Sequence, residues 1–404
     1  MSNRRITVVS QYFWPENFII NSVVGVLKTV APVTVICGQP TYKQKIDLTL
    51  PLPIDDSNVF RLAESERGQK KYFLIVNYIS FPLSLIIFLL KKKYIPKENE
   101  VIFCYLPSPF ISCFPIIFLK NFYKNIKVVL WVQDIWPDTL KNYFSPFTFR
   151  IIQIFLLPFV RIMLRKADII FSTSKQSRYR LIDLANGKDV QKFRVLYNPW
   201  IGSDSSKPGK KPKPSSRLNV KKIFRLVFTG NLGEAQHLEY WIRAIHIERP
   251  YNIRISIFGS GRSLSRLKAL VKSLRLGRQI KFYGSQRQER LDKLVPYYDL
   301  ALLSLSSAES FSTIIPSKVP FYLSCGLPIV GSGSSASLEF FKDENIPGFV
   351  ISDCESTNSR LVFKFLQGLT PSSLLPLKAR AREVFETRFT VEKVVDQLRN
   401  ELDL

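Results

Sequence analysis

Phe224-Arg225-Leu226-Val227-Phe228-Thr229 runs directly into Gly230-Asn231-Leu232-Gly233. The first six residues are short and mostly apolar and end at a turn, as a buried parallel strand should. The pattern recurs in the same half of the chain. Ile253–Phe258 leads into Gly259-Ser260-Gly261, and Pro328–Val330 into Gly331-Ser332-Gly333-Ser334-Ser335. Ile280–Tyr283 and Leu300–Leu303 read as further strands, with helical stretches between. Strands alternating with helices predict a parallel, doubly wound sheet.

Working back toward the N-terminus, residues 202–222 break the alternation with Pro, Gly, Ser and Lys and hardly any apolar residues. Such a stretch cannot bury a core and reads as a linker. Before it the alternation is present again. Ile6–Val9, Val33–Ile36, Val101–Tyr105, Val128–Val132, Ile169–Ser172 and Phe193–Leu196 read as strands. Pro15-Glu16-Asn17 is expected to open a helix with Ile20, Val23, Val24 and Leu27 on one face. At 404 residues the chain exceeds one ordinary core, since cores stop growing near about 250–300 residues. The expected organisation is a domain over 1–200, a basic linker over 201–222, a second domain over 223–376 and one closing helix over 377–404. The fold class is α/β: two Rossmann-like doubly wound domains facing a cleft.

The formal net charge is +26, a field that attracts phosphate groups, whether on nucleotides, lipids or nucleic acid, without choosing among them. Solvated Lys faces give the same count. The five cysteines lack C-x-x-C spacing and read as reduced thiols in a cytosolic protein. His237 and His246 are the only histidines, so no histidine-based metal site is expected. The run Tyr72–Leu90 approaches the length of a spanning helix but contains Asn77, two serines and Pro82. That run, Phe110–Leu119 and Ile151–Met163 are flanked by Lys91-Lys92-Lys93, Lys120, Arg150, Arg165 and Lys166. Apolar faces beside basic clusters suit contact with an anionic membrane surface. Core helices with solvated ends are the alternative.

Loops outside the carboxyl ends of parallel strands are where such sheets bind ligands, and glycine lets the backbone approach a phosphate. Gly230, Asn231, Gly233 and Gly261 are therefore donor-site candidates. Ile315-Pro316-Ser317-Lys318 adds a helix start at which Ser317 can cap and Lys318 can meet a diphosphate. An ordinary helix start with a solvated lysine is the competing reading. No P-loop pattern is present. In the first half, Asp134 follows a strand between Trp131 and Trp136. It is the catalytic candidate, able to orient or deprotonate a hydroxyl, with Trp136 stacking on a sugar. Capping by Asp134 and packing by the tryptophans explain the same residues. Glu16 and Asn17 are acceptor-site candidates at the same rim, or helix caps.

These segments resemble glycosyltransferase family 4, of GT-B fold, and within it the branch that builds bacterial O-antigen, colanic acid and capsule repeat units. The resemblance rests on Ser10-Gln11-Tyr12-Phe13-Trp14-Pro15-Glu16-Asn17, on Trp131 to Asp138, and on Gly230-Asn231-Leu232-Gly233-Glu234-Ala235-Gln236. Ile315-Pro316-Ser317-Lys318 with Tyr322, Gly326 and Pro328 completes it. It implies a donor site in the C-terminal domain, an acceptor site in the N-terminal domain, and sugar transfer with retention and no required metal or other cofactor. The leaving diphosphate would be stabilised by protein donors near Gly230–Gly233, Ser317 and Lys318. The hydroxyl would attack on the face the diphosphate leaves, through an oxocarbenium-like transition state. Many members carry two glutamates eight residues apart before the Gly-x-Pro turn, the second on the donor ribose. Thr313 and Phe321 stand at those positions here, and Glu309 is out of register. Gln133 and Asp134 stand where some members have a histidine.

The expected function is a retaining glycosyltransferase. It would move a sugar, expected to be an N-acetylated amino sugar, from a nucleotide-diphosphate donor to a lipid-linked saccharide acceptor in bacterial surface-polysaccharide synthesis. It would act as a cytoplasmic, peripheral protein at the inner face of the cell membrane. A nucleotide-sugar epimerase of the same fold would form product from donor alone. A catalytically dead scaffold subunit would bind UDP without turnover. A basic nucleic-acid-binding protein fits the charge, but no RRM, KH or zinc pattern supports a nucleic-acid partner.

Overall fold

The computed structural model describes residues 4–404 except 42, 44–45, 48–50, 67–70, 143, 203–222, 251, 307–310 and 353–355. Nearly all of the expected linker, with Glu309 and Cys354, lies outside the described residues. The chain divides into two units, Met1–Pro199 with Val391–Leu404, and Trp200–Thr390.

The first unit contains β1 (Ile6–Ser10), α1 (Ile19–Leu27), β2 (Val33–Gly38), β3 (Val59–Leu62), α2 (Lys71–Leu90), β4 (Val101–Leu106) and α3 (Phe114–Leu119). It continues with β5 (Lys127–Val132), α4 (Pro146–Lys166), β6 (Ile169–Ser172), α5 (Lys175–Leu184) and β7 (Phe193–Val195). Its strands pair in parallel in the order β3-β2-β1-β4-β5-β6-β7. Alternation along the strands splits the core in two. Val9, Cys104, Leu130 and Ile170 face the layer of α2, α3, α4 and α5, while Val8, Phe103, Trp131 and Phe171 face the layer with α1.

The second unit contains β8 (Phe224–Thr229), α6 (Leu238–Glu248), β9 (Ile253–Phe258), α7 (Leu264–Ser273), β10 (Ile280–Gly284) and α8 (Gln288–Leu294). Then come β11 (Leu300–Leu303), α9 (Lys318–Ser324), β12 (Ile329–Ser332), α10 (Ser335–Asp343), β13 (Gly348–Ile351), α11 (Ser356–Gly368) and α12 (Pro371–Arg388). The sheet is parallel, in the order β10-β9-β8-β11-β12-β13. Strand order reverses between β1 and β4 in one unit and between β8 and β11 in the other. Crevices outside the carboxyl ends of the strands open at such switch points.

Three details differ from the sequence expectation. The tail is two helices rather than one. Phe389 ends α12, buried against Phe340, and accepts a hydrogen bond at its carbonyl from Trp200 N–H at 2.9 Å. α13 (Val391–Leu402) then joins the first unit, burying Val394, Val395 and Leu398 in the α1 layer. Two edge strands, β3 and β13, escaped the reading: each is four residues long, and neither is fully buried. Last, α1 begins at Ile19, leaving Glu16 and Asn17 in the preceding loop with no capping role.

Candidate functional site

The carboxyl edge of the second sheet brings three of the sequence segments together. The turns after β8 and β9 continue the pairing of their strands beyond the sheet. Gly230 N–H donates to Phe258 O at 2.9 Å, Leu232 N–H to Ser260 O at 2.8 Å, and Ser263 N–H to Leu232 O at 2.9 Å. Glycine is required for this approach. A Cβ on Gly259 would lie 1.8 Å from Gly230 O, and one on Gly261 would lie 2.5 Å from Asn231 Oδ1. Gly230 has φ +123°, a conformation other residues rarely adopt. The Asn231 side chain lies over Gly233 and Gly261, which have no Cβ to displace it. Gly230, Asn231 and Gly261 are exposed, as is the neighbouring Arg262.

Lys318 opens α9 and reaches this turn from below. Its Nζ donates to Gln236 Oε1 and sits 4.1 Å from the centre of the Phe228 ring. A Cβ on Gly230 would be 3.5 Å from the same Nζ. Burial lowers the Lys318 pKa from its ordinary 10.5 to about 7, and no carboxylate among the described residues pairs with it. A cation held this way lacks the counter-charge that buried ammonium groups require. The surroundings are fixed. Gln236 O accepts from Ser304 Oγ, Ala235 O accepts from Ser306 N–H at 2.8 Å, and Tyr322 Oη accepts from Thr229 N–H at 2.9 Å. Burial pushes the Tyr322 hydroxyl up to about 12, so it stays a neutral hydrogen-bonding group.

Other expected parts have different roles. Ser317 is exposed and makes no side-chain cap; its backbone is already helical, which directs the hydroxyl away from the first-turn N–H groups. The N–H groups of Gly230 and Leu232 are consumed between the turns, while those of Asn231 and Gly233 have no backbone partner among the described residues. The turn after β12 is also consumed: Ser334 caps α10 through Ser337 N–H and donates to Ile314 O. Phe321 is buried against Trp200, ring centres 4.9 Å apart, so it is a packing residue. A cavity of about 330 Å³ beside Gly233 is lined by Glu234, His237, Glu239, Ser263 and Arg266, and its arginine is paired with Glu239 at 3.3 Å. Among the described residues no group of three His, Cys, Asp or Glu side chains is placed to hold a metal ion.

In the first unit the switch-point loops are largely closed on themselves. Trp136 is buried, donates from Nε1 to Ser108 Oγ at 3.1 Å and meets Tyr78 edge-on. Its ring is thus used in packing rather than presented for stacking on a sugar. Glu16 is buried, its carboxylate accepting from Thr41 N–H at 2.9 Å, while Asn17 is exposed beside it. Asp138 is clamped by Arg180 through two hydrogen bonds of 2.6 and 3.1 Å. Asp134 remains partly exposed at the end of β5, and its charge contributes, after burial, to raising the Tyr105 hydroxyl pKa. Next to it, Asn198 Nδ2 donates to Gln133 Oε1 at 2.7 Å, leaving Gln133 Nε2 and Asn198 Oδ1 buried without partners. Buried polar atoms are ordinarily satisfied, so this pair adds a donor from Gln133, which the sequence had marked, and an acceptor from Asn198, which it had not. Asn198 lies after the short β7, where no motif marks it.

Residues 210–364 match the family model described as glycosyl transferases group 1. No curated protein matches the chain. Among solved structures, HepE from Anabaena in complex with UDP is similar over 99% of both chains, at 16% identity and a TM-score of 0.68. A sucrose-phosphate synthase from Thermosynechococcus elongatus is similar over 99% of this chain and 98% of its own, at 14% identity and a TM-score of 0.67. The lipopolysaccharide outer core galactosyltransferase WaaB is similar over 99% of both, at 14% identity and a TM-score of 0.63. The fold is GT-B. The domain match and the shared fold support a glycosyltransferase.

Proposed function

We propose that this protein is a retaining glycosyltransferase of the family 4 type. It moves a sugar, in our reading an N-acetylated amino sugar, from a nucleoside-diphosphate donor to a lipid-linked saccharide. The reaction takes place at the cytoplasmic face of a bacterial membrane, in surface-polysaccharide synthesis. The observation that carries the donor half is the Lys318 ammonium beneath Gly230, partly buried, held by Gln236 and without a carboxylate partner among the described residues. A diphosphate over the turn supplies the missing charge, and the N–H groups of Asn231 and Gly233 add donors. Lys318, Asn231 and Arg262 then stabilise the diphosphate as it leaves. Asp134, with Gln133 and Asn198, orients the acceptor hydroxyl, and the departing phosphate takes its proton.

Two measurements test this reading. A thermal-shift screen across nucleotides and nucleotide sugars should single out one base, since a ligand bound only by the folded state stabilises it. The purified protein, given that base's nucleotide sugars and a polyprenyl-diphosphate-saccharide, should form an extended glycolipid. Folded protein stabilised by no nucleotide overturns the donor site. Product formed from donor alone points to an epimerase.

A further inference from the structure

The layer formed by α2, α3 and α4 is apolar on both sides. Its inner side supplies core: Phe81 and Leu85 from α2, Ile116 from α3, Val160 and Met163 from α4. Its outer side should then be polar in a solvated domain. Instead α2 exposes Ile79, Leu83, Ile87 and Leu90, at helical spacing along one face. α4 does the same with Phe147, Ile151, Ile154 and Phe155, the first 75% and the last two 70% exposed. Between them α3 packs on both helices, with Phe114 edge-on to Phe159 at 5.2 Å, and exposes Phe118. Phe122 follows at 79% exposure. The helix joining the opposite layer shows the contrast within the same unit: α13 points Glu392, Lys393, Asp396 and Arg399 outward. A contiguous apolar surface of this extent marks an interaction site.

Charge identifies the occupant. α2, α3 and α4 contain no Asp or Glu. Lys91, Lys92 and Lys93 follow α2, Lys124 follows α3, and Arg150 stands on α4, all exposed and without an ion pair among the described residues. An apolar face whose helices contain no acidic residue and whose unpaired flanking charges Lys91, Lys92, Lys93, Lys124 and Arg150 are all cations complements an anionic lipid surface. Among the described residues one helix, α4, is long and apolar enough to cross a membrane. Yet Phe149, Val160, Met163 and Leu164 tie its inner side to the core of its own unit, so lipid cannot surround it.

We infer that the outer face of α2, α3 and α4 is a monotopic membrane-docking surface, lying in the plane of an anionic leaflet with its aromatic and aliphatic side chains inserted. This deepens the membrane part of the function proposed above and does not depend on the donor site. The test is co-sedimentation of the full chain with vesicles of phosphatidylcholine alone or mixed with phosphatidylglycerol. The wild type should bind the mixed vesicles more tightly. Ile154→Asp with Phe155→Asp should weaken that binding by roughly tenfold or more. Leu83→Asp with Ile87→Asp should do the same from the other helix. Lys91→Gln, Lys92→Gln and Lys93→Gln together should remove most of the preference for the anionic lipid and leave binding to phosphatidylcholine alone unchanged. Ile247→Asp, at an exposed apolar residue of the second unit, should change nothing. Circular dichroism and ligand-free thermal unfolding report the folding of each variant, and nucleotide-induced thermal stabilisation reports the donor site separately. The inference is overturned if the wild type stays in solution with both vesicle types. It is equally overturned if folded aspartate variants bind as the wild type does. A stable dimer in vesicle-free buffer that these variants abolish would assign the face to a second copy instead.

Discussion

The two units place the same kind of crevice at the same point of the same kind of sheet, but fill the two differently. In the first, the loops at the switch point are locked by their own side chains. Trp136 is bonded to Ser108, Glu16 to Thr41, and Asn77 of α2 is buried in a network with Gln11, Tyr12 and Glu64. In the second, the turns are made of glycine, lean on one another through backbone bonds, and lie over the Lys318 ammonium, which is held by Gln236 and has no carboxylate partner among the described residues. A crevice closed by its own side chains holds a shape, even where single atoms such as Gln11 Oε1 have no partner among the described residues. One that leaves a charge unsatisfied calls for a ligand. The comparison is the basis for proposing nucleotide recognition in the second unit, and in the first it singles out Gln133 and Asn198, each with a buried polar atom that has no partner among the described residues.

Asp134→Asn should sharpen this division most. Loss of an orienting or basic carboxylate costs roughly 10²–10⁴ in turnover. Nucleotide affinity should stay as it was, because the residue belongs to the other unit. Equal turnover for the variant, measured with a lipid-linked acceptor, would remove Asp134 from the chemistry. Gly259→Ala should destabilise the second unit by about 3 kcal/mol, since the new Cβ overlaps Gly230 O and neither backbone can yield cheaply. Gly277→Ala, with nothing within 4 Å of its Cβ, is the matched control for denaturant unfolding.

Breaking the closed crevice should cost less. Asn77→Leu strips a partner from Gln11, Tyr12 and Glu64 and should destabilise the first unit by about 2–3 kcal/mol. Smallest is Trp136→Phe, which loses one hydrogen bond, worth about 1 kcal/mol, and should leave KM for the acceptor nearly unchanged. A large rise in KM at unchanged stability would restore Trp136 as a sugar-stacking residue.

Much of this fold was legible because buried parallel strands are short apolar runs set between helices. Val128–Val132 and Phe224–Thr229 needed no tertiary information. The two strands that were not legible, β3 and β13, are edges, where Arg61 or a single paired side weakens the pattern. The glycine turns were legible as candidates because only glycine fits such approaches. What the sequence could not say is which N–H groups the turns use on each other, or that Ser317 points away while Lys318 lies under Gly230. Nor could it separate a tryptophan that packs from one that waits for a sugar: Trp136 differs from a binding-site tryptophan only through Ser108 and Tyr78, far from it in sequence.

Lys318 also carries a pH signature. Burial lowers it to about 7 from 10.5. Between those values the unfolded chain binds the proton that the folded, ligand-free chain has lost, so ligand-free stability should rise with pH across that window. A bound diphosphate favours the protonated form, so affinity should move the opposite way and fall as pH rises past about 7. The decisive measurement is calorimetric titration of the nucleotide sugar picked out by thermal shift into wild type and Lys318→Met, at pH about 6 and about 8. Its diphosphate, esterified at both ends, does not titrate in that range. The wild type should bind several-fold more tightly at the lower pH, with proton uptake near neutrality. Lys318→Met should lose roughly tenfold or more in affinity, together with the pH dependence. Equal affinity in the two proteins, or an unchanged pH dependence in the variant, would contradict the assignment of the donor diphosphate to Lys318 and the Gly230 turn.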